Sequence, residues 1–245
     1  MDKKGFNIAV LIDGDNSQPK LFQAILEEVS KYGKATIRRI YGDWTSNQMN
    51  GWKEGLNLYS FNPVQKFSYT TGKNSTDSSL IIDAMDILHG KNVDGFCIVS
   101  SDSDYTGLAK RIREEGIFVM GIGEKKTPSA FIQSCEIFTY LENIASTEDI
   151  SEIGNLKLSP EKENLQHKRE QLDIALIDKA FNISLGEDDE VYIAQVGLSL
   201  RKIDPSFDSR AYGFKNLTKL FESIKKYEVV KNVVNGLNQP LVKLK

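Results

Sequence analysis

The chain has 245 residues, of which 40% are hydrophobic and 27% charged, with a formal net charge of −3. That balance belongs to a folded globular protein with one large domain or two modest ones, and it excludes a disordered or fibrous chain. The longest apolar runs, such as Phe96 to Val99, fall far short of a bilayer span. Met1 to Phe6 lead into an apolar stretch with no secretory pattern, so a cytoplasmic protein is expected.

Strand and helix signals alternate through the first half. Phe6 to Ile12 reads as a strand and Gln18 to Tyr32 as a helix, with Leu21, Ile25 and Val29 at helical spacing and Pro19 in the tolerant first turn. Ala35 to Tyr41 follows as a second strand. Asn47 to Leu58 is a weaker helix interrupted by Gly51 and Gly55, and Asn62 to Thr71 is loop and strand. Ser75 to Leu88 is helical, and Gly95 to Ser100 is apolar on both faces, as a central strand must be. A helix over Tyr105 to Glu115, a strand at Ile117 to Ile122 and a helix capped by Thr127 with Pro128 at its first position complete the series. This order predicts an α/β fold with a mostly parallel, doubly wound sheet.

From Asn143 to about Gln166 the pattern lapses into Ser, Glu, Asn and Lys, which marks a linker. The expected division is a first domain over 1–145, a linker over 146–167 and a second domain over 168–245. In the second domain helices are expected at Lys168 to Phe181, Val191 to Leu200 and Phe214 to Tyr227. Strands follow at Val229 to Val234 and Pro240 to Leu244, around the turn Asn235-Gly236. Three helices and a hairpin are the order of a small winged-helix-like α+β domain. Charge divides along the same line. Residues 1–150 hold 16 Lys and Arg against 20 Asp and Glu, whereas residues 206–245 hold 8 against 3. An acidic site in one domain and an anion-facing surface in the other would account for this.

Two cysteines, Cys97 and Cys135, without a Cys-x-x-Cys pair make neither a zinc site nor a disulfide framework, and both are expected in the core. Two distant histidines, His89 and His167, argue against an imidazole-based triad or metal site. Carboxylates must then carry any chemistry. Asp13 ends the first strand in Ile12-Asp13-Gly14-Asp15-Asn16. Asp102 and Asp104 end the central strand in Ser100-Ser101-Asp102-Ser103-Asp104, and Asp77 opens a helix. Ligands of open α/β sheets bind beyond the carboxyl ends of strands, so these groups can meet in one crevice. Crowded carboxylates repel unless a cation neutralises them, and oxygen-only ligands suit Mg²⁺ or Mn²⁺. The competing reading for Asp15, Asp77 and Asp104 is helix capping. Asp86 is expected on solvated surface. Neither Gly121-Ile122-Gly123 nor Gly72-Lys73-Asn74 completes a nucleotide-binding loop.

The Ile12 to Asn16 segment, Lys73-x-x-x-Asp77, Ser101-Asp102-Ser103-Asp104-Tyr105 and Gly121-Ile122-Gly123 with Ser129 and Ile137-Phe138 together resemble the NYN domain, a PIN-like ribonuclease group that includes LabA-like proteins. The resemblance covers about residues 5–142. It implies a PIN-like three-layer α/β/α fold with an acidic Mg²⁺ or Mn²⁺ site. By the resemblance, Asp13, Asp77, Asp102 and Asp104 are the catalytic carboxylates. Asp13, Asp102 and Asp104 hold one or two metals, Asp77 or another acid orients the attacking water, Asn16 is a polar helper and Asp83 a second-rank acid. It also implies endoribonuclease cleavage leaving a 5′-phosphate and a 3′-hydroxyl. Residues 168–245, through Ser206 to Leu217, Leu220-Phe221 and the terminal hairpin, resemble a LOTUS (OST-HTH) domain. That implies binding of RNA, single-stranded or structured, with G-rich RNA proposed, or of a protein partner. Arg210, Lys215, Lys219, Lys225 and Lys226 fit a phosphate-facing helix, while Tyr212 and Phe214 are expected as core anchors. Two rivals stand beside the nuclease reading. In a haloacid-dehalogenase-like phosphatase, Asp13 would be the nucleophile and Asp15 the acid/base. In a non-catalytic RNA-binding adaptor, the acidic pocket would persist without turnover.

Overall fold

A computed structural model describes residues 5–66, 75–144, 171–186 and 189–245. The chain divides into two compact units, Met1–Lys157 and Leu158–Lys245. The expected linker over 146–167 lies outside the described residues.

The N-terminal unit is built on six strands. They are β1 (Asn7–Asp13), β2 (Lys34–Gly42), β3 (Asn62–Gln65), β4 (Gly95–Val99), β5 (Phe118–Gly123) and β6 (Ile137–Tyr140). Their order across the sheet is β3-β2-β1-β4-β5-β6, and every neighbouring pair is parallel. The chain runs outward from β1 to β3 and then returns to lay β4 against the other side of β1. That reversal places the topological switch point between β1 and β4. Both strands are buried along almost their whole length because helices cover both faces.

Strand alternation then sorts the side chains. Ile8, Val10 and Ile12 of β1 and Cys97 and Val99 of β4 pack on one face with α1 (Phe22–Ser30), Met49 and Trp52. Phe22 anchors this layer, with its ring 5.0 Å from both Trp52 and Phe61. Leu56 of the short helix α2 (Lys53–Leu58) packs against the same layer. Ala9 and Leu11 of β1 and Phe96 and Ile98 of β4 face the opposite layer, made by α3 (Ser75–Gly90), α4 (Thr106–Glu114) and α5 (Ser129–Ser134). The result is a three-layer α/β/α unit. The same parity decides where the strands aim their last residues. Asp13 and Ser100 continue the series of Leu11 and Ile98, on the α3 and α4 side.

Two glycines permit close approaches at this edge. A Cβ on Gly14 would sit 2.9 Å from the Tyr41 carbonyl oxygen, and one on Gly123 would sit 2.5 Å from that of Ser100. Both cysteines are buried, as expected. The start of α5 differs from expectation. Pro128 is the capping position, with extended backbone, and the Thr127 hydroxyl donates to the Glu124 carbonyl at 2.6 Å rather than to the helix.

The C-terminal unit contains α6 (Ile174–Ser184), β7 (Glu190–Tyr192), α7 (Ile193–Ile203), α8 (Leu217–Ser223) and β8 (Tyr227–Val230). A hairpin of β9 (Val233–Val234) and β10 (Leu237–Asn238) follows, and β11 (Leu241–Leu244) ends the chain. The antiparallel sheet runs β7-β11-β8. Residues 168–170 of the first expected helix lie outside the described residues, and α7 and α8 start later than periodicity suggests, because strand pairing and local capping take precedence. Asp173 accepts from the amides of Ala175 and Leu176, and Asn216 accepts from that of Lys219. Val191 and Tyr192 pair with β11 instead of opening α7. The Asn235-Gly236 turn has positive φ at both residues, 52° and 78°, the geometry two-residue hairpins favour. Tyr212 and Phe214 pack against the core, where Tyr212 lies 5.6 Å from the Phe207 ring.

Gly123→Ala is expected to lower stability by about 1–3 kcal/mol, since the added methyl meets a backbone oxygen that cannot rotate away. Urea denaturation measures the loss; a change below about 0.5 kcal/mol would mean that the β4–β5 edge yields freely.

Candidate metal centre of the N-terminal domain

The register of β1 against β4 pairs Ile12 with Val99, so Asp13 and Ser100 leave the sheet side by side. Asp13 is fully buried. Its Oδ2 accepts from the Ser100 hydroxyl and from Asn16 Nδ2, both at 2.9 Å. Its Oδ1 is buried with no hydrogen-bond partner among the described residues. Burial pushes the Asp13 carboxyl up to about 6. The bonds from Asn16 and Ser100 oppose that rise, and the negative charges of Asp77 and Asp15 add to it.

Ser100 is also a link to the next aspartate, because its Oγ accepts from the Asp102 amide at 3.1 Å. Asp102 Oδ1 in turn accepts from the Asp104 amide at 2.9 Å and caps a one-turn 3-10 helix, Ser103–Tyr105. Asp102 is thus the cap of this turn, and Asp104 is an acidic residue of its first turn. Tyr105, at the end of this turn, points into the core. Its hydroxyl donates to Asp77 Oδ1 at 2.8 Å.

Asp77 lies in the first turn of α3 and is only 8% exposed. One carboxylate oxygen from each of Asp77, Asp102 and Asp104 lies within 4.8 Å of the others. Burial raises the Asp77 carboxyl above its usual range, against the hydrogen bond from Tyr105. Repulsion from Asp102, Asp104 and Asp15 raises it further. Burial and the neighbouring charges of Asp13 and Asp77 raise the Tyr105 phenol, so it stays a donor. Asp77 thus joins Asp102 and Asp104 in the tightest grouping, while Asp13 sits behind, tied to Asp102 through Ser100.

Asp83, expected as a second-rank acid, accepts hydrogen bonds from Arg39 and Tyr41 on β2 instead. Six helical residues turn it about 240° away from Asp77. Asn16 touches Asp13 directly, and Lys73 lies outside the described residues. Ser100 and Tyr105 stand inside the motif segments, but the sequence assigns them no role; only tertiary contact reveals what they bind. An open cleft of about 380 Å³ borders the cluster, lined by Asn16, Ser101, Asp102, Ser103, Lys126 and Pro128.

In the C-terminal unit, Lys215 and Lys225 are exposed. Lys219 pairs with Glu222 and Lys226 with Asp178, both at 2.7 Å, and Arg210 binds the Asp208 carboxylate. Among the described residues, no helix is long and apolar enough to cross a membrane.

An uncharacterized protein of Methanocaldococcus jannaschii is 26% identical over 137 residues, which are 52% of this chain and 51% of that protein. The chain thus spans about half the length of this curated relative. A crystal structure of a protein of unknown function from Vibrio parahaemolyticus superposes with a TM-score of 0.50 at 18% identity. It covers 58% of this chain and 96% of its own, a likeness of fold. The family model described as NYN domain matches residues 7–142, and that described as OST-HTH/LOTUS domain matches residues 164–238. With more than half of its length in that first match, the chain belongs to the NYN domain family and carries an OST-HTH/LOTUS domain behind it.

Proposed function

We propose that the protein is a divalent-metal-dependent endoribonuclease whose C-terminal domain recruits RNA. The observation that carries this reading is the convergence of Asp77, Asp102 and Asp104 at the β1/β4 switch point of a PIN-like sheet. The donor set fits Mg²⁺ or Mn²⁺: it is all carboxylate, and the buried Oδ1 of Asp13 behind it lacks a partner among the described residues.

In this proposal Asp77, Asp102 and Asp104 hold the cation and Asp13 supplies further negative charge from beneath. When bound, the cation would stabilise charge developing on a phosphodiester and lower the pKa of a water. Asn16 and Ser100 keep Asp13 in place, and Ser100 fixes the Asp102 backbone. The cleft beside Asp102, with Lys126 on its wall, gives a strand a polar path past the cluster. The phosphatase rival fits poorly, because a nucleophile must be reachable and Asp13 has no exposed surface.

Incubation of the full chain with labelled single-stranded RNA and Mn²⁺ is expected to yield fragments with 5′-phosphate and 3′-hydroxyl ends. EDTA should stop the reaction, and Asp102→Asn should slow it by at least about 100-fold. Cutting that persists in the double variant Asp13→Asn, Asp102→Asn overturns the assignment. Binding without any cut supports the adaptor reading instead.

RNA recruitment by Lys215 and Lys225 is read from salt dependence. Replacing both with Ala should weaken binding and flatten the slope of log affinity against log salt by about 1.4, at about 0.7 per phosphate contact on a single strand. Fluorescence anisotropy of the full chain measures it, and an unchanged slope removes these lysines from the interface.

Asp13 also predicts a pH effect in metal-free buffer. The folded state holds its proton up to about pH 6, whereas the unfolded chain releases it near 4. Stability should therefore fall as pH rises through that window, by about 3 kcal/mol, and level off above it. Denaturation of wild type and Asp13→Asn at pH 4.5 and 7.5 tests this. Equal pH dependence in the two proteins would place the effect elsewhere.

A further inference from the structure

The turn that carries Asp102 and Asp104 does a second job. Residues Ser103–Tyr105 form a single 3-10 turn capped by Asp102, and its last residue is buried whereas Asp104 is exposed. Tyr105 is fully buried, its ring 6.3 Å from that of Phe131 and packed within the α3–α4–α5 layer. Its hydroxyl reaches across to α3 and donates to Asp77 at 2.8 Å. One rigid turn thereby presents two carboxylates itself and grips the third.

Three carboxylates this close repel one another, so each is driven toward any rotamer that separates it from the rest. A cationic partner would hold Asp77 but would also compete with the metal. A phenol holds it without cancelling its charge. The bond uses one oxygen of Asp77 and fixes the carboxylate plane.

We infer that Tyr105 is a positioning residue of the acidic cluster, clamping the Asp77 carboxylate beside Asp102 and Asp104 so that the three bind one divalent cation. The inference rests on the proposed metal site. The same helix supplies an internal control, because Tyr41 donates to Asp83 as Tyr105 does to Asp77. Tyr41→Phe thus removes the same chemical group from another aspartate of α3.

Isothermal titration of the full chain with Mn²⁺ alone, with no RNA present, separates the possibilities. Tyr105→Phe is expected to raise the Mn²⁺ Kd by about 10-fold or more, as loss of an orienting partner of a ligand does, while Tyr41→Phe leaves it within about 2-fold. A wild-type protein that binds no Mn²⁺ removes the metal reading and this inference with it. Wild-type binding that Tyr105→Phe leaves unchanged overturns the inference alone, as does equal weakening in both variants. Circular dichroism melting verifies that each variant folds. Nuclear magnetic resonance of the wild type gives an independent reading should Tyr105→Phe fail to fold. The Tyr105 hydroxyl proton must remain protected when Mg²⁺ saturates the protein, and its loss to exchange would overturn the clamp.

Discussion

Mutual repulsion among carboxylates gathered at one edge of a sheet is the constraint that organises the N-terminal domain. Asp77, Asp102 and Asp104 crowd together while Asp13 lies buried beneath them, and each of these charges would be better solvated apart. What keeps them together is the packing of apolar strands between two helical layers, which fixes the backbone wherever the side chains would prefer to move. Under the proposed function a cation would relieve this repulsion, which would link its binding to folding. The neutral donors around the cluster are part of the same solution. Asn16, Ser100 and Tyr105 each stabilise an ionised carboxylate without cancelling its charge.

The same reasoning explains why capping and chemistry are not alternatives here. Asp102 uses one oxygen to start the Ser103–Tyr105 turn, and that act orients its own carboxyl group, places Asp104 one step on and turns Tyr105 inward. Asp83 shows the opposite outcome. It sits on the same helix as Asp77, yet it is matched by Arg39 and Tyr41 and so ties α3 to β2.

The C-terminal domain is governed by burial more than by charge. Phe181, Phe221 and Tyr227 form an aromatic centre, with Phe181 and Phe221 at 5.1 and 5.3 Å from the Tyr227 ring. The Tyr227 hydroxyl and Lys226 both bind Asp178, so one of the basic residues of this domain also helps pin α6 to β8. Three of its five candidate phosphate contacts already have carboxylate partners within the domain. A nucleic-acid strand would have to compete for those three, whereas Lys215 and Lys225 stand exposed.

Sequence alone determined the elements whose signals are local. A continuous apolar run marked β4 as a central strand, because residues buried on both faces must be apolar throughout, and another marked β1 as a strand. The Asn-Gly pair marked the hairpin, because both residues tolerate positive φ. The ends of two strands and the start of a helix pointed to Asp13, Asp77, Asp102 and Asp104 as candidates, because those are places where side chains escape the sheet. Boundaries that depend on partners were not legible: Val191 and Tyr192 look helical until β11 pairs with them. Only the tertiary structure decided that Asp77 outranks Asp13 in closeness to Asp102 and Asp104, that Asp83 serves Arg39, and that Tyr105 reaches Asp77. The physical reason is that charge and hydrogen-bond coupling act through distance in space over a few ångströms, and a linear sequence does not encode which distant residues will be brought that close.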